Sequence, residues 1–121
     1  MYLSCDQGND LYQVLVDNDI SCRRFDNPRE AVAQAPSDAC VLILAQHYPL
    51  ATTQIEPSVL DEASRKNLRL YVEFPERIAG MELGSVQSSP WARCVVTSEL
   101  FGESLAPMRI MAIHGCHFVT V

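Results

Sequence analysis

The stretch Cys40-Val41-Leu42-Ile43-Leu44-Ala45 constrains the fold of this chain more than any other. It is apolar at every position rather than at alternate ones, the pattern of a strand covered on both faces, as in a parallel sheet sandwiched between helices. The flanking sequence supplies those helices. Asn27-Pro28-Arg29-Glu30 reads as a helix start, with Asn as N-cap, Pro at the first helical position and Glu at the third, and Ala31, Val32 and Ala35 turn inward before Pro36. Glu56-Pro57-Ser58 opens another, with Val59, Leu60 and Ala63 inward, Asp61 and Glu62 early, and Arg65 and Lys66 late. Those charges complement the helix dipole, and Asn67 suits the cap beyond it. Earlier, Asp10-x-x-Gln13 resembles a capping box, with Leu11, Val14 and Leu15 forming an apolar helical face.

Short β-type runs alternate with these helices at Met1–Cys5, Ser21–Phe25, Cys40–Ala45 and Leu68–Phe74. Further runs follow at Arg93–Thr97 and Ile110–His114, after a long Gly- and Ser-containing connection from Pro75 to Pro90. Gly115-Cys116 has the spacing and leading glycine of a type II′ hairpin turn, which makes His117–Val121 a final antiparallel strand. The expectation is a three-layer, doubly wound α/β domain over residues 1–121, flavodoxin-like, with a mostly parallel sheet and the hairpin added at its edge. The last strand runs to Val121 with no polar tail, so the chain is expected to be one domain of a longer protein.

Charge narrows the function classes. Nine Lys and Arg against fifteen Asp and Glu give a net charge of −6 with no basic cluster, which argues against nucleic acid as a partner. No apolar run approaches the roughly 20 residues that span a bilayer, and the first residues lack the pattern of a signal peptide; the reading is a soluble chain with no membrane partner, its compartment open. Five widely spaced cysteines, Cys5, Cys22, Cys40, Cys94 and Cys116, read as reduced core thiols.

In open α/β sheets ligands bind beyond the carboxyl ends of the strands, where the strand order reverses. That rule selects Asp6 and Asn9 after the first strand, His47 and Tyr48 after the third, and Glu73 and Glu76 after the fourth as candidate ligand-binding residues. Gln46 accompanies the third set, and Thr97, Ser98 and Glu99 follow the fifth strand. The Asp6–Asp10 loop has no glycine-rich phosphate motif and carries its own carboxylates, so helix capping is its expected role and no cofactor is expected. Asp6 with Glu73 or His47 could supply oxygen and nitrogen ligands to a divalent cation, without any local spacing that fixes a site. His114-Gly115-Cys116-His117 offers at most three ligands and lacks the small residues of a nucleophile elbow, so no catalytic residue is assigned. Trp91 after Pro90 reads as a loop anchor, and with Tyr48 and Tyr71 as a possible sugar-stacking set; Phe101 and Leu105 read as plugs at the core's edge.

Val41-Leu42-Ile43-Leu44-Ala45-Gln46-His47-Tyr48-Pro49, followed by a helix and Leu68-Arg69-Leu70-Tyr71-Val72-Glu73-Phe74-Pro75, resembles the class I glutamine amidotransferase-like domains. It is most similar to the degenerate versions attached to bacterial carbohydrate-related proteins. The resemblance covers about half of the chain. Active members carry a Gly-x-Cys-x-Gly elbow and a later His-x-Glu; neither occurs here, so the resemblance implies the scaffold without glutaminase chemistry. The expected function is a non-catalytic accessory or ligand-binding domain, its partners the other domains of a longer protein and a carbohydrate ligand. The alternative is a hydrolytic or metal-assisted enzyme domain using the acidic residues at the strand ends.

Overall fold

A computed structural model describes all residues, 1–121, and the chain divides into two compact units, Met1–Leu83 with Val121, and Gly84–Thr120. The first unit alternates β1 (Tyr2–Ser4), α1 (Asp10–Asp17), β2 (Arg23–Phe25), α2 (Pro28–Gln34), β3 (Cys40–Ile43), α3 (Pro57–Arg65) and β4 (Arg69–Val72). Its four strands form one parallel sheet in the order β2-β1-β3-β4, with the doubly covered run at β3 lying inside it, between β1 and β4.

Alternation along the strands assigns the two faces. Leu3, Cys5 and Leu44 pack with Leu15 of α1, while Val41 and Ile43 pack with Ala31, Val32 and Ala35 around α2 and with Val59 and Ala63 of α3. One helix therefore covers one face and two cover the other. The helix starts follow the sequence closely. Asn27 Oδ1 accepts the Glu30 amide at 2.9 Å to cap α2, and Pro28 opens that helix. Helix α1 begins one residue earlier than the Asp10 pattern suggests, since Asn9 is the residue whose side chain accepts the Tyr12 amide at 3.1 Å. Just past α3, Asn67 takes φ 53°, the left-handed conformation that ends helices.

The last carbonyls of a helix have no partner within it. Those of α2 find one in Lys66, whose ammonium donates to the carbonyls of Val32, Ala33 and Ala35 at 2.9, 2.7 and 3.1 Å. One cation at the end of α3 thus closes the end of α2, with the sign the dipole favours.

The second unit departs from the sequence reading. Strands β5 (Val86–Val95) and β6 (Ile110–Val119) pair antiparallel as a separate two-stranded sheet rather than as an added edge of the parallel one. Residues 93–97 therefore do not continue the parallel sheet. Nor is there a turn at Gly115-Cys116: both lie inside β6, and the strands are joined by residues 96–109, which contain two short 3-10 turns. The register explains the misreading. Ser89 faces Cys116 and Trp91 faces His114, so Gly115, at φ 59°, stands opposite Pro90. Proline brings no N–H to a ladder, and the glycine takes a left-handed kink there rather than a turn.

The same register corrects several side chains. Trp91 is a strand residue, 56% exposed and edge-on to the His114 ring at 4.2 Å, not a loop anchor; Phe101 is exposed instead of plugging a core. Val96 is the buried apolar residue of this unit. The cysteines are all free, but only Cys5 is buried; Cys40 is exposed and the others are half-buried. Burial raises the Cys5 thiol above its ordinary value, against a smaller lowering by Arg24. Alkylation of the native protein with iodoacetamide, mapped by mass spectrometry, is expected to modify Cys40 first and Cys5 last; equal rates at the two would contradict this packing.

Candidate functional site

The strand order places a reversal between β1 and β3: from β1 the chain moves outward to β2, then returns past β1 to β3. Loops leaving the carboxyl ends of these two strands diverge, and a crevice opens between them. A cleft of about 430 Å³ lies there, lined by Ser4 at the end of β1, Asp26 and Asn27 beyond β2, and Gln46, His47 and Thr53 beyond β3, among others.

The floor is fixed by backbone. Leu44 N–H donates to Ser4 O at 2.9 Å and Cys5 N–H to Phe25 O at 3.2 Å, so the ladders extend past the strand ends. The wall made by residues 45–53 is fixed by Glu73. Its carboxylate Oε2 accepts the Ala45 amide at 2.9 Å, its carbonyl accepts Thr53 Oγ1–H at 2.6 Å, and the next carbonyl, of Phe74, accepts the Thr53 amide at 2.7 Å. Thr53 O accepts the Glu76 amide in return at 3.0 Å, completing a short parallel bridge from Thr53 to Pro75. Both ends of the loop are thereby tied to the end of β4. Phe74 is buried at φ 48°, an uncommon conformation for an aromatic residue, and the Tyr48 ring meets it edge-on at 5.3 Å.

The sequence candidates therefore divide. His47, with Gln46, lines the cleft. Glu73 acts as the latch of the loop, and its charge also raises the Tyr71 hydroxyl, after the larger effect of burial. Tyr48 supports the same loop through Phe74. Asn9 caps α1, and exposed Asp6 accepts the Asn9 amide at its carbonyl. Glu76 lines a neighbouring cavity with Arg77. Thr97, Ser98 and Glu99 belong to the second unit, where Ser98 Oγ caps a 3-10 turn through the Leu100 amide. Tyr48 and Tyr71 lie in the first unit and Trp91 in the second.

Ser4, Asp26, Asn27, Thr52, Thr53 and Gln54 were not selected by the strand-end rule as applied to the sequence. The missing signal was the end of β2: Asp26-Asn27 follows that strand directly, but the N-cap motif accounts for Asn27 completely and masks its second position on a cleft wall.

Chemically the lining mixes amides and hydroxyls with the His47 imidazole and the apolar side chains of Pro28, Ile43, Leu44 and Ala51. Asn27 Oδ1 is used in the cap, which leaves its Nδ2 as a donor; Gln46 Nε2 makes only a long contact to Asp26 O at 3.4 Å. The one carboxylate, Asp26, is partnered by Arg24 at 2.6 Å, and that guanidinium also donates to Cys5 O at 2.9 Å. No lysine or arginine lines the cleft, so an anionic ligand would meet no countercharge there. Ser4, His47 and Asp26 share the lining, but no hydrogen bond links them, and an activated nucleophile needs its base in hydrogen-bond contact. No three His, Cys, Asp or Glu side chains come together in a group that could hold a metal ion. No helix is long and apolar enough to cross a membrane.

The chain matches no protein-family model, no curated protein and no solved structure.

Replacing Glu73 with alanine leaves the buried Ala45 amide unsatisfied and is expected to lower stability by about 1–3 kcal/mol. Glu73→Gln keeps an acceptor oxygen and is expected to lose less. Chemical denaturation of both variants checks the order; an equal loss in the two would remove the carboxylate's role as latch.

Proposed function

We propose that this chain provides a non-catalytic ligand-binding domain, flavodoxin-like and built on a degenerate glutamine amidotransferase-like scaffold, which serves as an accessory to a larger, carbohydrate-related protein. Its ligand is a neutral, polyhydroxylated molecule held in the strand-end cleft.

The observation that carries this reading is the lining of that cleft: amides and hydroxyls, among them the free Nδ2 of Asn27, set beside apolar Pro28, Ile43, Leu44 and Ala51, with no lysine or arginine. Sugars present many hydroxyls that both donate and accept, so uncharged amide and hydroxyl side chains satisfy them without the desolvation cost of an unpaired ion. Two further observations support it. The order β2-β1-β3-β4 agrees with the first four strands of a flavodoxin-like sheet, and its switch point is the usual place for a ligand. The absence of the elbow motif from the sequence and the unlinked Ser4, His47 and Asp26 favour binding over turnover.

Isothermal titration against a panel of neutral sugars and their phosphorylated counterparts tests it. Binding is expected for a neutral member, weaker for its phosphate, and reduced about 5- to 10-fold by Gln46→Ala, the loss of one net hydrogen bond of about 1 kcal/mol or slightly more. Preference for the phosphate, or indifference to Gln46→Ala, would overturn the site. Conversion of a bound sugar to shorter products would overturn the non-catalytic reading.

A further inference from the structure

The strand-end cleft does not stand alone. Gln54 lines it and also lines two other cavities of the same unit, one of about 440 Å³ with Glu76 and Arg77, the other of about 270 Å³ with Arg29 and Glu56. The shared walls are extensive. Asn27 and Pro28 belong to the first and third cavities, and Ile55 and Glu56 to the second and third. The segment Gln54-Ile55-Glu56, which leads from the latched Thr53 into α3, therefore borders all three, and they read as one groove running from the strand ends past the start of α3.

The two ends of this groove differ in chemistry. Near the strand ends it presents amides and hydroxyls, with the His47 imidazole, beside apolar side chains, and no lysine or arginine. At the far end stand Glu76 and Arg77, both exposed, with Glu56 already paired to Arg29. The Arg77 guanidinium has neither an ion pair nor a hydrogen bond, so its planar set of donors is open, next to a carboxylate that only accepts. Adjacent donor and acceptor groups of this kind match neighbouring hydroxyls of one sugar unit. Between the ends, half-buried Ile55 offers an apolar surface to the C–H face of a ring.

A single ring in the strand-end cleft would leave the rest of this groove unused. We infer that the ligand is an extended neutral oligosaccharide, one unit seated in the strand-end cleft and the following units crossing Gln54 and Ile55 to Glu76 and Arg77. This inference rests on the carbohydrate reading above and adds the length and direction of the chain that is bound.

The test is a length series. Gluco-oligosaccharides of one to five units, in β-1,4, β-1,3 and α-1,4 linkage, are titrated into the intact chain by calorimetry. In the linkage that binds, affinity is expected to rise about tenfold between one unit and three, the effect of one or two net hydrogen bonds, and then to level off. Arg77→Ala, at an exposed position, is expected to fold normally by its thermal melt and to erase that rise for the trisaccharide. A monosaccharide that binds as tightly as the trisaccharide, or a rise that survives Arg77→Ala, would overturn the extended groove while leaving the cleft as a sugar site. Silence at every length and linkage would overturn both.

Discussion

The Glu73 carboxylate, by accepting the Ala45 amide, decides where the chain goes once it leaves β3. That amide is the first beyond the ladder, where Leu44 has already bonded back to Ser4, and the residue that carries it is buried. A buried N–H without an acceptor costs as much as a hydrogen bond is worth or more, so the strand end is stable only with an acceptor in that position. The side chain that supplies it sits on the neighbouring strand's exit, one residue past Val72. The same exit supplies the Glu73 and Phe74 carbonyls to Thr53, and the excursion between Ala45 and Thr53 is pinned at both ends. What would otherwise be a nine-residue loop over the sheet becomes one wall of a cleft.

Fixing that wall also fixes the electrostatics. The chain carries a net charge of −6, yet the strand-end cleft holds one carboxylate, and Arg24 neutralises it from β2 while anchoring the Cys5 carbonyl. Exposed pairs of this kind add little to stability. The pair engages Asp26, and no lysine or arginine joins it in the lining. Glu56, paired with Arg29, and Glu76 and Arg77 line a neighbouring cavity instead.

Much of the first unit was legible in the sequence because each local signal agreed with the next. Asn27-Pro28 set the start of α2, the apolar run at Cys40 set an inner strand, and the helical patterns between strands set the parallel crossovers. The rule of strand ends then selected Gln46 and His47, which line the strand-end cleft. It could not distinguish a side chain that lines a cleft from one that builds it. Glu73 looks like a candidate ligand residue in sequence, and its work for the loop depends on a contact 28 residues away in the chain. The second unit was misread for a different reason. Gly115-Cys116 carries the local signature of a hairpin turn, but the pairing of β6 with β5 extends through it, with Pro90 opposite the glycine. Tertiary pairing overrode the local pattern.

The proposed ligand site lies between the ends of β1 and β3, against the Glu73-latched loop. Amide chemical shifts measured while a neutral oligosaccharide is added to the intact, isotope-labelled chain test it residue by residue. Shifts are expected to concentrate at Cys5, Asn27, Gln46, His47, Thr53 and Gln54, with the side-chain amides of Asn27 and Gln46 moving as well. Shifts centred on the strands of the second unit, with those residues unmoved, would contradict it.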